Sequence, residues 1–152
     1  PVRMSDESKW SVRVTSDPKG AVGYVRTSRV PVGAPLSFDA EYPAVSALEQ
    51  VLVAVAADLV QGLALLARRR RLAIDRLEAV IHGRLGNPLV YLGVVGESGD
   101  PGLASLACKI YVDTLEDEAR VRSVFDESLR RSPLYNTFAR AVRFEIELLF
   151  VP

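Results

Sequence analysis

Trp10-Ser-Val-Arg-Val14 alternates apolar with polar residues, the pattern of a strand with two unlike faces. Ser16-Asp-Pro-Lys-Gly20 follows with turn chemistry, since proline presets φ and Gly20 can take a positive value. Ala21–Arg26 resumes the strand pattern and makes a hairpin. Pro31 to Pro35 are expected to interrupt pairing, Leu36–Phe38 to form a short third strand, and Asp39–Pro43 to connect. Ser46 with Glu49 three residues on is a capping box that opens a helix. The run from Val51 to Leu66 leads into Arg68–Arg71. Its uninterrupted apolar stretches fall short of the roughly 20 residues a bilayer requires, and Asp58 and Gln61 break them. A helix apolar on nearly every side is expected to be buried against protein. The arginines suit the negative end of the helix dipole and read as a solvated last turn rather than a nucleic-acid patch.

The second half alternates again over Ile74–Leu85, with Leu77, Ala79, Ile81, Gly83 and Leu85 on one face. Glu78, Val80, His82 and Arg84 take the other. Gly86-Asn-Pro88 ends the strand, Leu89–Val95 is apolar but glycine-interrupted, and Glu97–Gly102 is a loop. Leu103–Val112 is a further strand. Thr114 with Asp117 is expected to open a helix whose buried stripe is Val121, Val124, Phe125 and Leu129, closed by Arg130-Arg131. Ser132-Pro133 reads as an N-cap followed by proline at the first helical position, starting a short helix to about Ala141. Val142–Val151 is the last strand. The order is βββ-α-ββ-αα-β: an α+β fold with an antiparallel sheet packed on a long central helix. No repeat, low-complexity tract or linker divides it, so 1–152 is expected to be a single domain, with residues 1–9 set aside as disordered or a remnant of processing.

Composition narrows the classes without naming a function. A chain of 152 residues with 49% hydrophobic and 25% charged types is neither disordered, collagen-like nor a disulfide scaffold. Nineteen basic residues balance nineteen acidic ones, so no global field draws the chain to nucleic acid or to a membrane surface. The one cysteine, Cys108, has no partner for an internal disulfide, and no N-terminal run has signal-peptide character, so a cytoplasmic location is expected.

Two positions invite chemistry. Asp58 lies mid-helix in apolar surroundings, where a carboxylate must be paired, protonated or turned into a cleft, and Gln61 sits one turn on. Ser132 precedes a proline-initiated helix, where it is either a plain cap or a group held at a positive dipole end. Cys108 shares strand parity with Leu106, Ile110 and Val112 and reads as packing. His82 reads as a surface residue, with no ligand cluster around it. No metal and no cofactor are expected. Gly93, Gly96, Gly99 and Gly102 lack the helix and the Lys-Ser/Thr pair of a phosphate loop.

Leu48–Asp58, Leu72–Leu85 and Ser132-Pro-Leu-Tyr135 together resemble the OsmC/Ohr family, the osmotically inducible and organic-hydroperoxide-resistance proteins of bacteria. The resemblance covers most of the chain beyond about Leu36. It implies thiol-based reduction of hydroperoxides in the oxidative stress response. A cysteine in the central helix attacks peroxide as a thiolate, and a second, before a proline at a helix start, resolves the sulfenic acid. Here Asp58 and Ser132 stand at those two places, and neither can run a thiol cycle. The proline that opens the family's central helix falls at Ala47, and the glutamate after it at Leu48, with Glu49 one residue later. Arg13, Arg26 and Arg29 are left open as the arginine counterpart. Leu89–Gly102 is longer than the resemblance implies.

No catalytic residue is assigned. The candidate binding set is Asp58, Gln61, Ser132 and Glu49. The apolar helix needs more cover than one small sheet provides, so an intertwined homodimer is expected, as the resemblance also implies. The leading reading is a dimer without peroxidase activity that holds a small apolar or anionic ligand at the subunit interface, with no nucleic acid and no membrane as partner. The alternatives are a hydroperoxide reductase acting through Cys108 or a partner, hydrolysis using Asp58 and Ser132, and a purely structural or regulatory dimer.

Overall fold

The computed structural model describes residues 8–152, so of the segment 1–9 residues 1–7 lie outside the described residues. The chain resolves into two compact units, one reaching to Val51 and one spanning Leu52–Pro152.

The first unit is a meander of β1 (Arg13–Asp17), β2 (Gly20–Val25) and β3 (Ser28–Val32), antiparallel and in that spatial order. Gly20 has φ 149°, and a side chain there would run into the Val32 carbonyl oxygen, so the first turn requires glycine. The third strand is Ser28–Val32 and not Leu36–Phe38, and Pro31 lies inside it opposite Val22. An edge strand has one side without a ladder, where a missing N–H forfeits no bond, so proline did not end the pairing. The first strand is likewise displaced to Arg13–Asp17 and is exposed throughout, so the Trp10–Val14 alternation marks no buried face in this chain. Residues 39–43 form the connecting loop, as expected. The capping box forms as read: the Ser46 amide donates to Glu49 Oε1 at 3.0 Å, and the Glu49 amide to Ser46 Oγ at 3.1 Å. It opens α1 (Ala47–Arg69).

In the second unit α1 buries Val55, Leu59, Leu63, Leu66 and Ala67, a stripe at the three-to-four-residue spacing of one helix face. The sheet in this unit is β4 (Ile74–Leu85), β5 (Leu103–Thr114) and β6 (Arg143–Val151), in that order. β4 and β5 are antiparallel, with Ile81 opposite Cys108. β5 and β6 are parallel, with Cys108 opposite Ile146, so this sheet is mixed where the sequence suggested antiparallel pairing. A parallel neighbour needs a crossover of a dozen residues or more, and α3 (Glu118–Arg131) with α4 (Pro133–Ala141) supplies it. Between β4 and β5 the glycine-interrupted stretch holds one helical turn, α2 (Pro88–Tyr91), capped by Asn87.

The cap of α3 is Asp117, whose carboxylate accepts from the Arg120 amide at 3.2 Å. Thr114, expected to open this helix, is occupied elsewhere: its hydroxyl donates to the Ala73 carbonyl at 2.6 Å and accepts from the Glu116 amide at 3.0 Å. The core joins α1 to Ile110 and Val112 of β5 and to Val121 and Phe125 of α3. By length and composition alone α1 is apolar enough to cross a membrane, with Asp58 and Gln61 interrupting its apolar run. One of its faces is instead committed to this core.

Leu63→Ala is expected to lower the unfolding free energy by about 2–5 kcal/mol in denaturant titrations, because Leu63 is fully enclosed and its removal leaves a cavity. Leu115→Ala, at a side chain that is 100% exposed, is expected to change it by less than about 0.5 kcal/mol.

Candidate functional site

Asp58 lies half-buried midway along α1, and Ser132 occupies the joint between α3 and α4, capping the C-terminus of one and the N-terminus of the other. Ser132 is 6% exposed. Its Oγ accepts from the Tyr135 amide at 2.9 Å, the ordinary N-cap bond, and donates its hydrogen to Asp58 Oδ2. The Leu134 amide points at the same carboxylate oxygen from 3.4 Å. Two donors from the start of α4 thus converge on one oxygen of Asp58, at the end of the helix dipole that favours an anion. The pair is separated by 74 positions in sequence.

Beside it lies a cleft of about 240 Å³ lined by Asp58, Ser132, Leu65, Leu66, Arg69, Arg131 and Pro133, with Gly62 and Ser128 completing the wall. A side chain built at Gly62 would meet nothing within 4 Å, so glycine keeps this wall open. Arg131 is held by Glu127 at 2.7 Å, whereas Arg69 has no ion pair among the described residues. The cleft therefore offers apolar walls, one carboxylate already satisfied by donors, and one uncommitted guanidinium.

Gln61 is exposed and does not line this cleft. At 3.6 residues per turn, three residues fall short of a full turn by about 60° and four overshoot by about 40°, which sends Gln61 and Gly62 to opposite sides of Asp58. The positions that do share its stripe are Gly62, Leu65 and Arg69, at i+4, i+7 and i+11. That periodicity is visible in the sequence, whereas Arg131 carries no comparable signal. Glu49 belongs to the capping box in the first unit. There the Ser46 amide, and then the Ser46 hydroxyl, hold its carboxyl below the ordinary value.

Cys108 is 2% exposed on the core side of β5 with Leu106, Ile110 and Val112, as its parity indicates. Burial pushes its thiol up to about 11. The thiolate is the nucleophile toward peroxide, and at pH 7 such a thiol is ionised in only about one molecule in 10⁴. His82 is exposed on the opposite face, paired with Ala107. Among the described residues no group of three His, Cys, Asp or Glu side chains is placed to hold a metal.

Asp58→Ala and Ser132→Ala are each expected to destabilise the protein by about 1–3 kcal/mol, and the double variant by clearly less than the sum, because each single change orphans the other group. Cys108 is expected to resist thiol reagents at pH 7.5 until the protein is unfolded. Its raised value means that the folded state keeps the proton longer than the unfolded chain. The contribution is therefore complete below about pH 9 and lost as pH rises through about 11. Melting temperatures across that window should fall less steeply in Cys108→Ala.

No protein-family model matches the sequence, and no curated protein matches it. Solved structures do match the fold. An OsmC-like protein from Mycoplasma pneumoniae superposes with a TM-score of 0.79 at 15% identity, covering 96% of this chain and 99% of that one. An organic hydroperoxide resistance protein from Elizabethkingia anophelis, solved with thiocyanate bound, gives 0.71 at 9% identity over 95% and 99%. The organic hydroperoxide resistance protein OsmC from Legionella pneumophila gives 0.67 at 9% identity over 92% and 97%. The element order, the two three-stranded sheets and these superpositions agree: the chain has the fold of the OsmC-like and organic-hydroperoxide-resistance proteins.

Proposed function

We propose that the chain is a divergent OsmC/Ohr protein that has exchanged peroxidase chemistry for binding, and that it works in the cytoplasm as a homodimer holding a small ligand in the Asp58 cleft. The observation that carries this reading is the hydrogen bond from Ser132 to Asp58. The two side chains standing where the resemblance puts cysteines do meet, so the approach of the two elements is kept while the sulfur is gone. A carboxylate cannot be oxidised to a sulfenic acid, and a hydroxyl cannot resolve one.

Three features support binding over the alternatives. The cleft is small, apolar on the Leu65, Leu66 and Pro133 side, and lined by Arg69, which has no ion pair among the described residues; this suits a short amphiphile with one carboxylate. Cys108 is buried and held protonated, which counts against reduction through its thiol. Ser132 has an Oγ lone pair committed to the Tyr135 amide, and the sole histidine is out on a sheet face, which counts against hydrolysis. A dimer is supported by α1: only 28% of its most apolar stretch is buried, and Val53 and Leu65 stand exposed on it.

The test begins with purified protein, an organic hydroperoxide and a dithiol. No turnover is expected, and turnover that survives Cys108→Ser would overturn the loss of peroxidase chemistry. Thermal-shift titration with hexanoate and octanoate is then expected to raise the melting temperature, since a ligand that binds only the folded state stabilises it by roughly 2.7 kcal/mol at 100 times its Kd. Arg69→Gln should weaken that shift at least fivefold, and Asp58→Ala should change it if the carboxylate lines the bound ligand. Binding that is indifferent to both changes would remove the cleft from the function.

A further inference from the structure

Two helices of the second unit end beside each other in arginine. α1 runs into Arg68–Arg71, and α3 closes on Arg130-Arg131. Glu127 ties the two ends together, its Oε1 accepting from Arg70 at 2.8 Å and from Arg131 at 2.7 Å. Sequence alone reads Arg68–Arg71 as a solvated last turn, and the fold sets a second pair next to them. Arg68 instead lines a groove with Asp75. That leaves Arg69, Arg70, Arg71, Arg130 and Arg131 at the two ends with one carboxylate between them, and Arg69, Arg71 and Arg130 have no ion pair among the described residues.

These arginines are not caps. The α1 end closes by backbone alone: the Leu72 amide donates to the Ala67 carbonyl at 2.9 Å and the Arg71 amide to the Arg68 carbonyl at 3.1 Å. The Asn136 side chain closes the α3 end, donating to the Leu129 carbonyl at 3.0 Å and the Arg130 carbonyl at 3.3 Å. Among the described residues no guanidinium of the cluster bonds to a carbonyl there. Arg71 also holds the left-handed position that ends α1, with φ 57°, where glycine is favoured. An arginine kept against backbone strain points to a use for its side chain beyond closing the helix.

Charge and shape select the partner. Glu127 and the two helix C-termini, at about half a negative charge each, leave about three positive charges on the cluster. Arg70 and Arg131 are 49% and 57% exposed, with N–H groups to spare beyond Glu127. Guanidinium forks, with no lysine among them, fit phosphate oxygens two at a time. An anionic bilayer takes an apolar wedge beside the cations. The exposed Leu115 is followed by Glu116-Asp117-Glu118, which such a surface repels. The exposed Tyr91, Leu92 and Val95 leave from the other end of α1, because Ile74 and Leu77 share a groove with Ala64 and Ala67, whereas a side chain at Gly83, later in β4, would meet Leu52 at 2.9 Å.

We infer that the joined ends of α1 and α3 bind the phosphate backbone of a nucleic acid. Contacts to phosphate carry no sequence information, so the binding is independent of sequence. This role is separate from the small ligand of the Asp58 cleft and shares only Arg69 and Arg131 with it.

The experiment is fluorescence anisotropy of a labelled duplex of about 20 base pairs, titrated with the protein between about 50 and 200 mM salt. At the lowest salt a Kd of about 10–100 µM is expected, with log K falling against log salt at a slope of about −2.7, as for three neutralised phosphates. Duplexes rich in A·T and in G·C should bind alike. Arg130→Gln should weaken binding at least threefold and take about 1 off the slope. Arg71→Gly should do the same with the melting temperature held or raised, because glycine suits the left-handed turn. Arg84→Gln, at the far end of β4, should leave binding unchanged. A duplex left unbound at the lowest salt, a slope shallower than about −1, or an equal loss in Arg84→Gln overturns the inference. Poly-glutamate or phosphatidylglycerol vesicles bound more tightly than the duplex at equal charge would give the cluster to an acidic protein or a membrane, and overturn it as well.

Discussion

A carboxylate in the middle of an apolar helix needs donors, and this chain supplies them from one place, the first turn of α4. Much else follows from that requirement. Ser132 has to cap α4 and donate to Asp58 at once, which fixes where α3 ends and α4 begins. Pro133 at the first helical position gives up no hydrogen bond and presets the turn. The joint between the two crossover helices is thus tied to the central helix, and the crossover in turn delivers β6 parallel to β5. One polar contact, 74 positions apart in sequence, adds a directional tie between elements that the apolar core already packs together.

The same contact separates fold from chemistry. The resemblance puts two cysteines where this chain has Asp58 and Ser132, and the structure brings those two side chains into contact. With sulfur there, the approach would permit a disulfide. With carboxylate and hydroxyl, it gives a hydrogen bond and no disulfide. The one thiol, at Cys108, sits on the core side of a central strand, where burial raises its pKa and disfavours the thiolate.

Local rules were readable wherever a residue's partner lay within a few positions. The capping box at Ser46 and Glu49, the Ser132-Pro133 start and the parity of Cys108 in β5 all depend on one turn or one pleat. Readings failed where a distant partner decided the outcome. Pro31 is tolerated because β3 is an edge, which no local pattern reveals. Thr114 loses the cap of α3 because Ala73, 41 positions away, takes its hydroxyl. The parallel pairing of β6 follows from a crossover and not from its own alternation. In the cleft, Asp58 and Ser132 stood out by composition, but Gly62, Leu65 and Arg69 needed the helical stripe to be traced from Asp58 itself.

The central helix carries two kinds of surface. Its core stripe is Val55, Leu59, Leu63 and Leu66, long side chains that interlock with the sheet and α3. Its outer stripe is Ala54, Gln61 and Leu65, shorter or mixed, ending in arginine. A helix meant to meet water on that side would carry charge every few residues, and between Glu49 and Arg68 the only charged residue is Asp58, which is already held by α4. Large side chains would keep a second helix at a distance, whereas small ones let it approach closely. An outer stripe without charge is therefore the surface that the proposed homodimer would use.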